Sequence, residues 1–231
     1  MLFYKAWLES RTRFLLSAIT MAALASLFVL MNKDVRADAA PHATYSQYLW
    51  LTIYKGYLRD IFVVVALLFG MGGLARERAY GTSGFTLTLP VSRWRLTGAR
   101  AAVGVAESTI MAFLPAILLP LLSPLVNEVY PWPQALHFGL LWSLGGSFVF
   151  TMGFVASALF SGEYSAPIAA VALLFAYSIV ADLPRVEQYM IDIHDFMRGT
   201  GPQGPLALAA VIATSTMLIA ISGFITRRKD F

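Results

Sequence analysis

Residues 135–160 read ALHFGLLWSLGGSFVFTMGFVASALF, and these 26 residues include no Asp, Glu, Lys or Arg. An α-helix rises about 1.5 Å per residue, so a run of this length is more than enough to cross a hydrocarbon layer of about 30 Å. Uncharged apolar segments of this length are typical of membrane spans and not of water-soluble domains. The stretch therefore predicts a transmembrane helix.

Five other apolar runs lie on either side of this stretch. They occupy residues 14–31, 58–75, 101–126, 165–181 and 206–225. Of the 231 residues, 58% are hydrophobic and 13% are charged, whereas about a quarter of an ordinary soluble domain is charged. The sequence therefore predicts an all-α integral membrane protein with six transmembrane helices, built as one domain over residues 1–231.

The distribution of charge predicts the orientation of these spans. If the N-terminus is cytoplasmic, 11 of the 17 Lys and Arg fall on the inner side of the membrane. Acidic residues show the opposite bias, with four on the inner side and eight on the outer side. Because cytoplasmic loops carry an excess of Lys and Arg, both termini are expected in the cytoplasm.

The polar start of the chain, residues 1–13, has two interpretations. Phe3, Tyr4 and Trp7 share one helical face, which is typical of a short helix lying in the membrane interface. Alternatively, these residues are the polar beginning of the first span, 14–31. The sequence leaves both interpretations open.

The third span contains the candidate residues of a transport pathway. Glu107 is a carboxylate well inside the span, where a charge is costly and often functional. The alternative is a structural role in which Glu107 pairs with Arg100 or reaches water. Pro115 and Pro120, with Pro124, predict that the outer half of this helix is kinked or broken, because proline removes a backbone donor and clashes with the preceding turn.

The fourth span carries four glycines, at positions 139, 145, 146 and 153. Small residues allow membrane helices to approach closely, so these positions predict helix packing rather than a pathway. The short link at residues 161–164 predicts that the fourth and fifth spans are antiparallel neighbours.

Residues 182–205 form a second polar region, between the fifth and sixth spans. Apolar side chains recur at helical spacing from Leu183 to Phe196, with charged residues between them. This pattern predicts an amphipathic helix that lies in the outer interface or is shallowly re-entrant. Glycine and proline then end it.

Catalytic and metal sites are not indicated. Ser83 lies in a Gly-x-Ser-Gly sequence, which also occurs in intramembrane serine proteases, but all three histidines fall on the outer side and Ser83 on the inner side. Asp192, His194 and Asp195 offer metal ligands, although an exposed acidic turn is the ordinary explanation. The sequence has no Gly-x-x-x-x-Gly-Lys-Ser/Thr phosphate loop, so this chain is not expected to hydrolyse ATP by itself.

Residues 76–100, RERAYGTSGFTLTLPVSRWRLTGAR, form a basic loop with five Arg and one Glu. Phe85, Leu87 and Leu89 are too apolar to be left in water on such a loop without a covering surface. These side chains are therefore predicted to dock on a soluble partner, with Arg93 at the edge of the contact. The alternative is that the strip lies in the lipid interface.

The order of these features resembles the ABC-2 type (ATP-binding-cassette type 2) transporter permease family: a charged exit, Gly-Thr, an apolar strip, and Leu-Pro-Val-Ser-Arg before a new span. The resemblance implies a type V exporter-like fold, with an N-terminal interfacial helix, a cytoplasmic coupling helix between spans two and three, and a re-entrant or interfacial helix between spans five and six. It also implies a set of residues that couple the chain to an ATPase, namely Glu77, Gly81, Thr82, Phe85, Leu87, Leu89, Pro90, Val91, Ser92 and Arg93.

The function implied by the resemblance is that of a permease subunit in the inner (plasma) membrane of a bacterial or archaeal type of cell. Two permease chains, identical or different, would assemble with two ATPase subunits that hold ATP and Mg, and export an amphipathic lipid, peptide or drug-like substrate. No nucleic-acid partner is expected. Two alternatives stay open: an ATP-independent carrier or channel that uses Glu107 for ion coupling, and a permease-like subunit that serves immunity or sensing without transport.

Overall fold

The computed structural model describes residues 2–39, 42–71, 92–160, 164–186 and 188–228. Within these ranges the ordered elements are helices and there is no β-strand, so the predicted all-α class is confirmed for the described part of the chain. In chain order the elements are α1 Leu2–Leu30, α2 Asn32–Ala39, α3 Tyr45–Leu49, a π-helical turn Trp50–Tyr54, α4 Tyr57–Gly70, α5 Arg93–Leu122, a 3₁₀ turn Ser123–Val126, α6 Trp132–Leu159, α7 Ser165–Ala181, α8 Ile193–Arg198 and α9 Pro205–Arg228.

Four helical segments are long and apolar enough to cross a membrane: α1, α5 with its 3₁₀ turn, α6 and α9. These four correspond to the first, third, fourth and sixth predicted spans. Helix α4 has 14 residues and α7 has 17, which correspond to lengths of about 21 and 25 Å. The chain therefore has the helices of a multi-pass membrane protein, with two elements shorter than a typical span.

The first 13 residues do not form a separate interfacial helix. Helix α1 runs without interruption from Leu2 to Leu30. No Gly or Pro occurs in this stretch to break it. The second interpretation, a polar start of the first span, is the one that the structure adopts.

Side-chain contacts show the direction in which each helix passes α6. Helix α4 runs parallel to α6, since Phe62 lies beside Gly146 and Gly70 lies beside Gly153. Helix α7 runs antiparallel to α6, because the two are joined by a short link and the rings of Phe148 and Tyr177 are 5.0 Å apart midway along them. The predicted antiparallel pairing of the fourth and fifth spans is confirmed.

One end of the bundle gathers the starts of α1, α5 and α7 with the ends of α4, α6 and α9, and we call it the basic end. Three polar contacts join these elements: Arg100 with Glu9 at 3.0 Å, Arg13 with the carbonyl of Leu68 at 2.9 Å, and Arg93 with the carbonyl of Arg227 at 3.3 Å. Leu2 and Arg228 consequently lie at the same end of the bundle. Along the chain, the six helices α1, α4, α5, α6, α7 and α9 alternate in direction.

Helix α6 is the most buried of the four long helices, and its glycines explain how closely its neighbours approach. A Cβ added to Gly153 would lie 2.4 Å from the carbonyl oxygen of Leu67 on α4, and one added to Gly146 would lie 2.5 Å from the ring of Phe62. Real Cβ atoms do not approach other atoms so closely, so only glycine fits. The predicted packing role of the small residues in the fourth span is confirmed.

Helix α5 is unbroken through Pro115 and Pro120, so these two prolines do not break the helix, and the expected kink stays a prediction. Both prolines are buried between neighbouring helices, which hold the helix in shape where hydrogen bonds are missing. The α-helix instead ends at Leu122, just before Pro124. A 3₁₀ turn follows and closes at Asn127, which has the left-handed φ of 59°.

The polar segment 182–205 departs from its predicted structure. The described residues between Asp182 and Asp192 form turns, and only α8, Ile193–Arg198, is helical. Pro184 prevents α7 from continuing into the segment, because it disfavours the α conformation for the preceding residue and cannot donate a backbone hydrogen bond, but it does not explain the turns that follow. Helix α8 is not an exposed surface helix, since Ile193, Phe196 and Met197 are fully buried.

The opposite end of the bundle, which we call the aromatic end, contains α2, α3, the π-helical turn and α8. Tyr45, Tyr48 and Tyr54 are buried there, although their sequence pattern is typical of an interfacial belt. The hydroxyl of Tyr45 lies 2.8 Å from Oγ of Ser123, and Trp50 donates a hydrogen bond to the carbonyl of Arg198. These aromatic residues therefore join the loops to the helix ends.

Candidate functional site at the basic end

The buried carboxylate of Glu107 is the centre of a polar cluster at the basic end. Glu107 lies on α5 and is only 2% exposed. The hydroxyl of Ser10 on α1 donates a hydrogen bond to Oε1 of Glu107. Within the described residues, Oε2 has no hydrogen-bond partner. The cluster thus ties the first and third predicted spans together and leaves one carboxylate oxygen unsatisfied.

Helical spacing brings these side chains together. Arg100, Gly104 and Glu107 recur at intervals of four and three residues, so they share one face of α5. Gly104 has no side chain, and the ring of Phe150 on α6 occupies the space where a Cβ would be. Glu107 therefore lies in a gap between α1, α5 and α6.

Arg100 does not pair with Glu107, contrary to the structural alternative considered from the sequence. Its guanidinium instead contacts Glu9 on α1, with Nη2 3.0 Å from Oε2. Lys5 lies one turn away from Glu9, with Nζ 3.7 Å from Oε1. Arg100 and Glu107 are seven residues, or about 10 Å, apart along α5. The partner of Arg100 is instead Glu9, near the start of α1.

Arg13 binds the C-terminal end of α4. Its Nη1 donates hydrogen bonds to the backbone carbonyls of Leu68, at 2.9 Å, and of Met71. The last carbonyls of a helix lack partners within the helix and carry partial negative charge, so a cation is favoured there. Arg13 thereby joins α1 to the point where the chain enters residues 72–91.

Ser92 and Arg93 mark the point where the chain leaves that segment. The Ser92 side chain caps α5 by accepting a hydrogen bond from the backbone N–H of Arg95. Arg93 donates to the carbonyl of Arg227 at the end of α9, and the ring of Trp94 packs over Gly223. The start of α5 is thus fixed to α9.

Only two of the ten predicted coupling residues, Ser92 and Arg93, belong to the described part of the chain. The other eight lie outside the described residues: Glu77, Gly81, Thr82, Phe85, Leu87, Leu89, Pro90 and Val91. Ser83, of the protease-like sequence, also lies outside them. The described residues on both sides of the gap are, however, bound to α1 and α9.

A small pocket of about 40 Å³ lies inside the polar cluster. Its walls include Ser10, Arg13, Arg100 and Glu107, together with Phe154 of α6. One buried water needs about 10–15 Å³ on this scale, so there is room for roughly three waters and not for a lipid or drug-like molecule. The cluster is therefore a junction of helices with room for water, and not a cavity for a large substrate.

Pro115 and Pro120 are not part of this cluster. Each is buried within α5, and Pro115 lies eight residues from Glu107, or about 12 Å along the helix. The structure therefore does not bring the three candidate pathway residues into one site.

The residues once considered as metal ligands have structural partners. Asp192 caps α8 by accepting from the backbone N–H of His194, and Asp195 pairs with Arg198 at 3.0 Å. Burial lowers the pKa of His194, and the nearby Arg59 cation lowers it further. No group of three potential ligands for a metal occurs in the described residues.

Ser10 and Arg13 were not singled out from the sequence. Their partners Glu107 and Met71 are 97 and 58 residues away, so no local pattern connects them. The one available signal was the three-residue spacing that places Ser10 and Arg13 on the same face of the helix.

No protein-family model matches the chain, and no curated protein matches it. The function proposed below is therefore based on sequence pattern and geometry alone.

Proposed function

We propose that this chain is the membrane-spanning permease subunit of an ATP-binding-cassette exporter, in which a separate subunit hydrolyses ATP. In this proposal the chain forms one permease domain with six spans and pairs with an identical or similar permease. The substrate is an amphipathic lipid, peptide or drug-like molecule, and the membrane is an inner (plasma) membrane of bacterial or archaeal type.

The alternating directions of the helices support the assignment of six spans. Helices α4 and α7 lie between full-length spans that run in the same direction, so each must return the chain across the layer. Helices shorter than the hydrocarbon thickness are accommodated by local thinning of the bilayer at modest cost. Exposed apolar side chains on α7, such as Ile168 and Phe175, agree with contact with lipid.

The charge of the basic end supports a cytoplasmic location for both termini. The described residues of this end include Lys and Arg on α1, α5 and α9. The positive-inside rule assigns such an end to the cytoplasm. The loop 76–100, which also belongs to this end, would then face the ATPase.

The observation that carries the proposal is that both ends of the segment 72–91 are bound to other helices. Arg13 connects the end of α4 to α1, and Arg93 connects the start of α5 to α9. A force applied to the segment would therefore act on four helices at once. This is the arrangement that a coupling loop needs if closure of an ATPase is to change the packing of the spans.

The coupling surface assigned by the proposal is the strip Phe85, Leu87 and Leu89, with Arg93 at its edge. The apolar side chains would fill a groove on the ATPase, and Arg93 would lie near acidic residues at the rim of that groove. ATP and Mg would be held by the ATPase subunit, since this chain has no phosphate loop.

A matched pair of variants tests the coupling surface. The variant with Leu87→Asp and Leu89→Asp places two charges in the strip, whereas Thr86→Asp with Thr88→Asp adds the same charges at the alternate positions. The chain is purified in mild detergent, and co-purification of a subunit that carries a phosphate loop is measured with its ATPase activity. We expect the leucine variant to lose this subunit and the threonine variant to retain it. Retention by both variants would contradict the coupling role.

Glu107 favours a second candidate function, that of an ATP-independent carrier. An almost fully buried carboxylate with one unsatisfied oxygen, next to a pocket large enough for water, is a suitable site for a proton. Transport by the purified chain in vesicles without ATP, driven by a proton gradient and abolished by Glu107→Gln, would favour this function. Transport that requires ATP and the ATPase subunit would exclude it.

A further inference from the structure

A second pocket lies away from the polar cluster, between α6, α7 and α9. It has a volume of about 180 Å³. Phe148 of α6 and Val211 of α9 form its buried walls, and the turn that contains Tyr189 and Ile191 covers one side. Ala210 and Thr214, which are exposed, lie at its mouth. The pocket is therefore recessed but open to the outer surface of the bundle.

The hydroxyl groups of two polar side chains that line this pocket are already engaged in hydrogen bonds. The hydroxyl of Tyr177 donates to the carbonyl of Ile191, and the hydroxyl of Thr214 donates 2.8 Å to the carbonyl of Ala210. These groups already have partners within the protein. Apolar cavities of about 150 Å³ stay dry and take up benzene-sized apolar molecules, and this pocket is somewhat larger. Its natural occupant is a hydrocarbon group rather than water or a polar headgroup.

The position of the pocket identifies the source of that group. Its mouth opens between α7 and α9, and both helices expose large apolar side chains such as Phe175 and Met217. Residues 210–214 lie five to nine residues from the start of α9, or about 8–14 Å along the helix from the aromatic end. This depth corresponds to the acyl region just below the headgroups, so the molecules at the mouth are membrane lipids.

The shape of the pocket favours a narrow occupant. It is a recess between α6, α7, α9 and the turn that contains Tyr189 and Ile191. A helix from a second copy of the chain is a rigid cylinder about 10 Å wide, whereas a single acyl chain is narrow and flexible enough to enter.

We propose that the pocket bounded by Phe148, Tyr177, Ile191 and Val211 binds one acyl chain of a bilayer phospholipid. The headgroup would remain in the interface near Tyr189, which is 83% exposed. This site rests on the part of the proposed function that places α7 and α9 against lipid. It does not depend on the ATPase, on ATP or on the direction of transport.

Photolabelling in vesicles tests the site. The full chain is reconstituted without an ATPase into phosphatidylcholine vesicles that contain a phosphatidylcholine with a diazirine on one acyl chain. Labelled positions are mapped by mass spectrometry of peptides. We expect labelling of residues 189–193 and 210–214 to exceed that of the lipid-facing residues around Ile168. Labelling of the pocket no greater than that around Ile168 would overturn the proposal.

Three variants separate the pocket from the helix surface. Val211→Phe fills the pocket and is expected to reduce labelling there to the level around Ile168. Ile212→Phe, on the exposed side of α9, adds the same ring outside the pocket and is expected to leave labelling unchanged. Because Val211 is buried and its variant can fail to fold, Thr214→Phe at the exposed mouth provides a second block. Undiminished labelling in a folded Val211→Phe or Thr214→Phe protein would overturn the proposal.

Labelling also distinguishes the two proposals from each other. A labelled pocket with no associated ATPase would refute the exporter and retain the lipid site. Co-purification of an ATPase with a chain whose pocket is not labelled would retain the exporter and refute the lipid site.

Discussion

The hydroxyl of Ser10 donates a hydrogen bond to the carboxylate of Glu107, and this bond joins α1 to α5 inside the bundle. Both side chains are buried, with Ser10 7% and Glu107 2% exposed. The bond is therefore expected to contribute to the stability of the helix packing, whatever the chain transports.

Removal of this bond gives the first prediction. Ser10→Ala should lower the free energy of unfolding in detergent by about 0.6–1.7 kcal/mol, the range measured for hydrogen bonds between membrane helices. Glu107→Gln keeps an acceptor for Ser10 and should cost less than Glu107→Met. In the Glu107→Met background, Ser10→Ala should have almost no further effect.

The control for these variants of Ser10 and Glu107 is Thr20→Ala. Thr20 is exposed on the same helix, and its hydroxyl bonds to the carbonyl of Leu16 within α1. Additive effects of Ser10→Ala and Glu107→Met in the double variant would show that the two residues are not coupled.

Glycine contacts give the second prediction. Gly153→Ala places a Cβ 2.4 Å from the backbone oxygen of Leu67, so α4 and α6 must separate. We expect a loss of about 1–3 kcal/mol in the free energy of unfolding, as for other overpacked sites. Gly98→Ala is the matched control, because nothing lies within 4 Å of its Cβ and alanine favours a helix by about 0.5–1 kcal/mol. Equal thermal stability of the two variants would contradict the close approach.

The contact of Arg13 with α4 gives the third prediction. Arg13→Met leaves the carbonyls of Leu68 and Met71 without their charged donor, which costs about 1.5–3 kcal/mol. We expect hydrogen exchange in the last turn of α4 to become about tenfold faster or more, since 1.4 kcal/mol corresponds to a factor of ten. Arg11→Met removes the same charge from an exposed position and should leave this exchange unchanged. Equal exchange in both variants would show that Arg13 does not hold the end of α4.

His194 gives a prediction about pH. Burial has the largest effect and lowers the pKa of His194 in the folded state, and the Arg59 cation lowers it further. Asp192 and Asp60 raise this pKa and Arg198 lowers it, but the net shift is downward. The unfolded state therefore binds the proton first, so stability is full above the ordinary pKa of about 6.5 and is lost as the pH falls through the lowered folded-state pKa.

The measurement for His194 is the melting temperature in detergent between about pH 8 and pH 5. The unmodified chain should lose stability as the pH falls through this range, and His194→Gln should reduce the loss. His42→Gln, at an exposed position, should leave the loss unchanged. A steeper loss in His194→Gln would mean that the folded state favours the charged imidazole.

Local sequence properties were sufficient to predict the long helices. Apolar length over 18 or more residues is a property of the segment itself, so α1, α5, α6 and α9 could be predicted without any knowledge of their neighbours. The short link between α6 and α7 likewise required the two helices to be antiparallel neighbours. The glycines of α6 indicated close packing, although not which helices would pack there.

Features that depend on distant contacts could not be predicted in this way. The helical spacing of apolar residues between Leu183 and Phe196 did not produce one helix, and the end of the segment folds inward, where Ile193 and Met197 lie against Gly145 of α6. Tyr48 and Tyr54 have the composition of an interfacial belt, yet the loops that carry them fold over the helix ends. The partner of Glu107 was missed for the same reason, since Ser10 is 97 residues away.

The continuity of α1 has a mechanical consequence. Its 29 residues span about 43 Å, so roughly 13 Å of rigid helix projects beyond a hydrocarbon layer of about 30 Å. A helix without a joint acts as a lever, and a tilt of about 10° around its midpoint would swing each tip sideways by about 4 Å. Glu9 and Arg13 lie about 10 and 5 Å from that midpoint, so the same tilt would shift them, and the ends of α5 and α4 that they contact, by about 2 and 1 Å. Any event at the aromatic end that tilts α1 would therefore move the residues on either side of the segment 72–91.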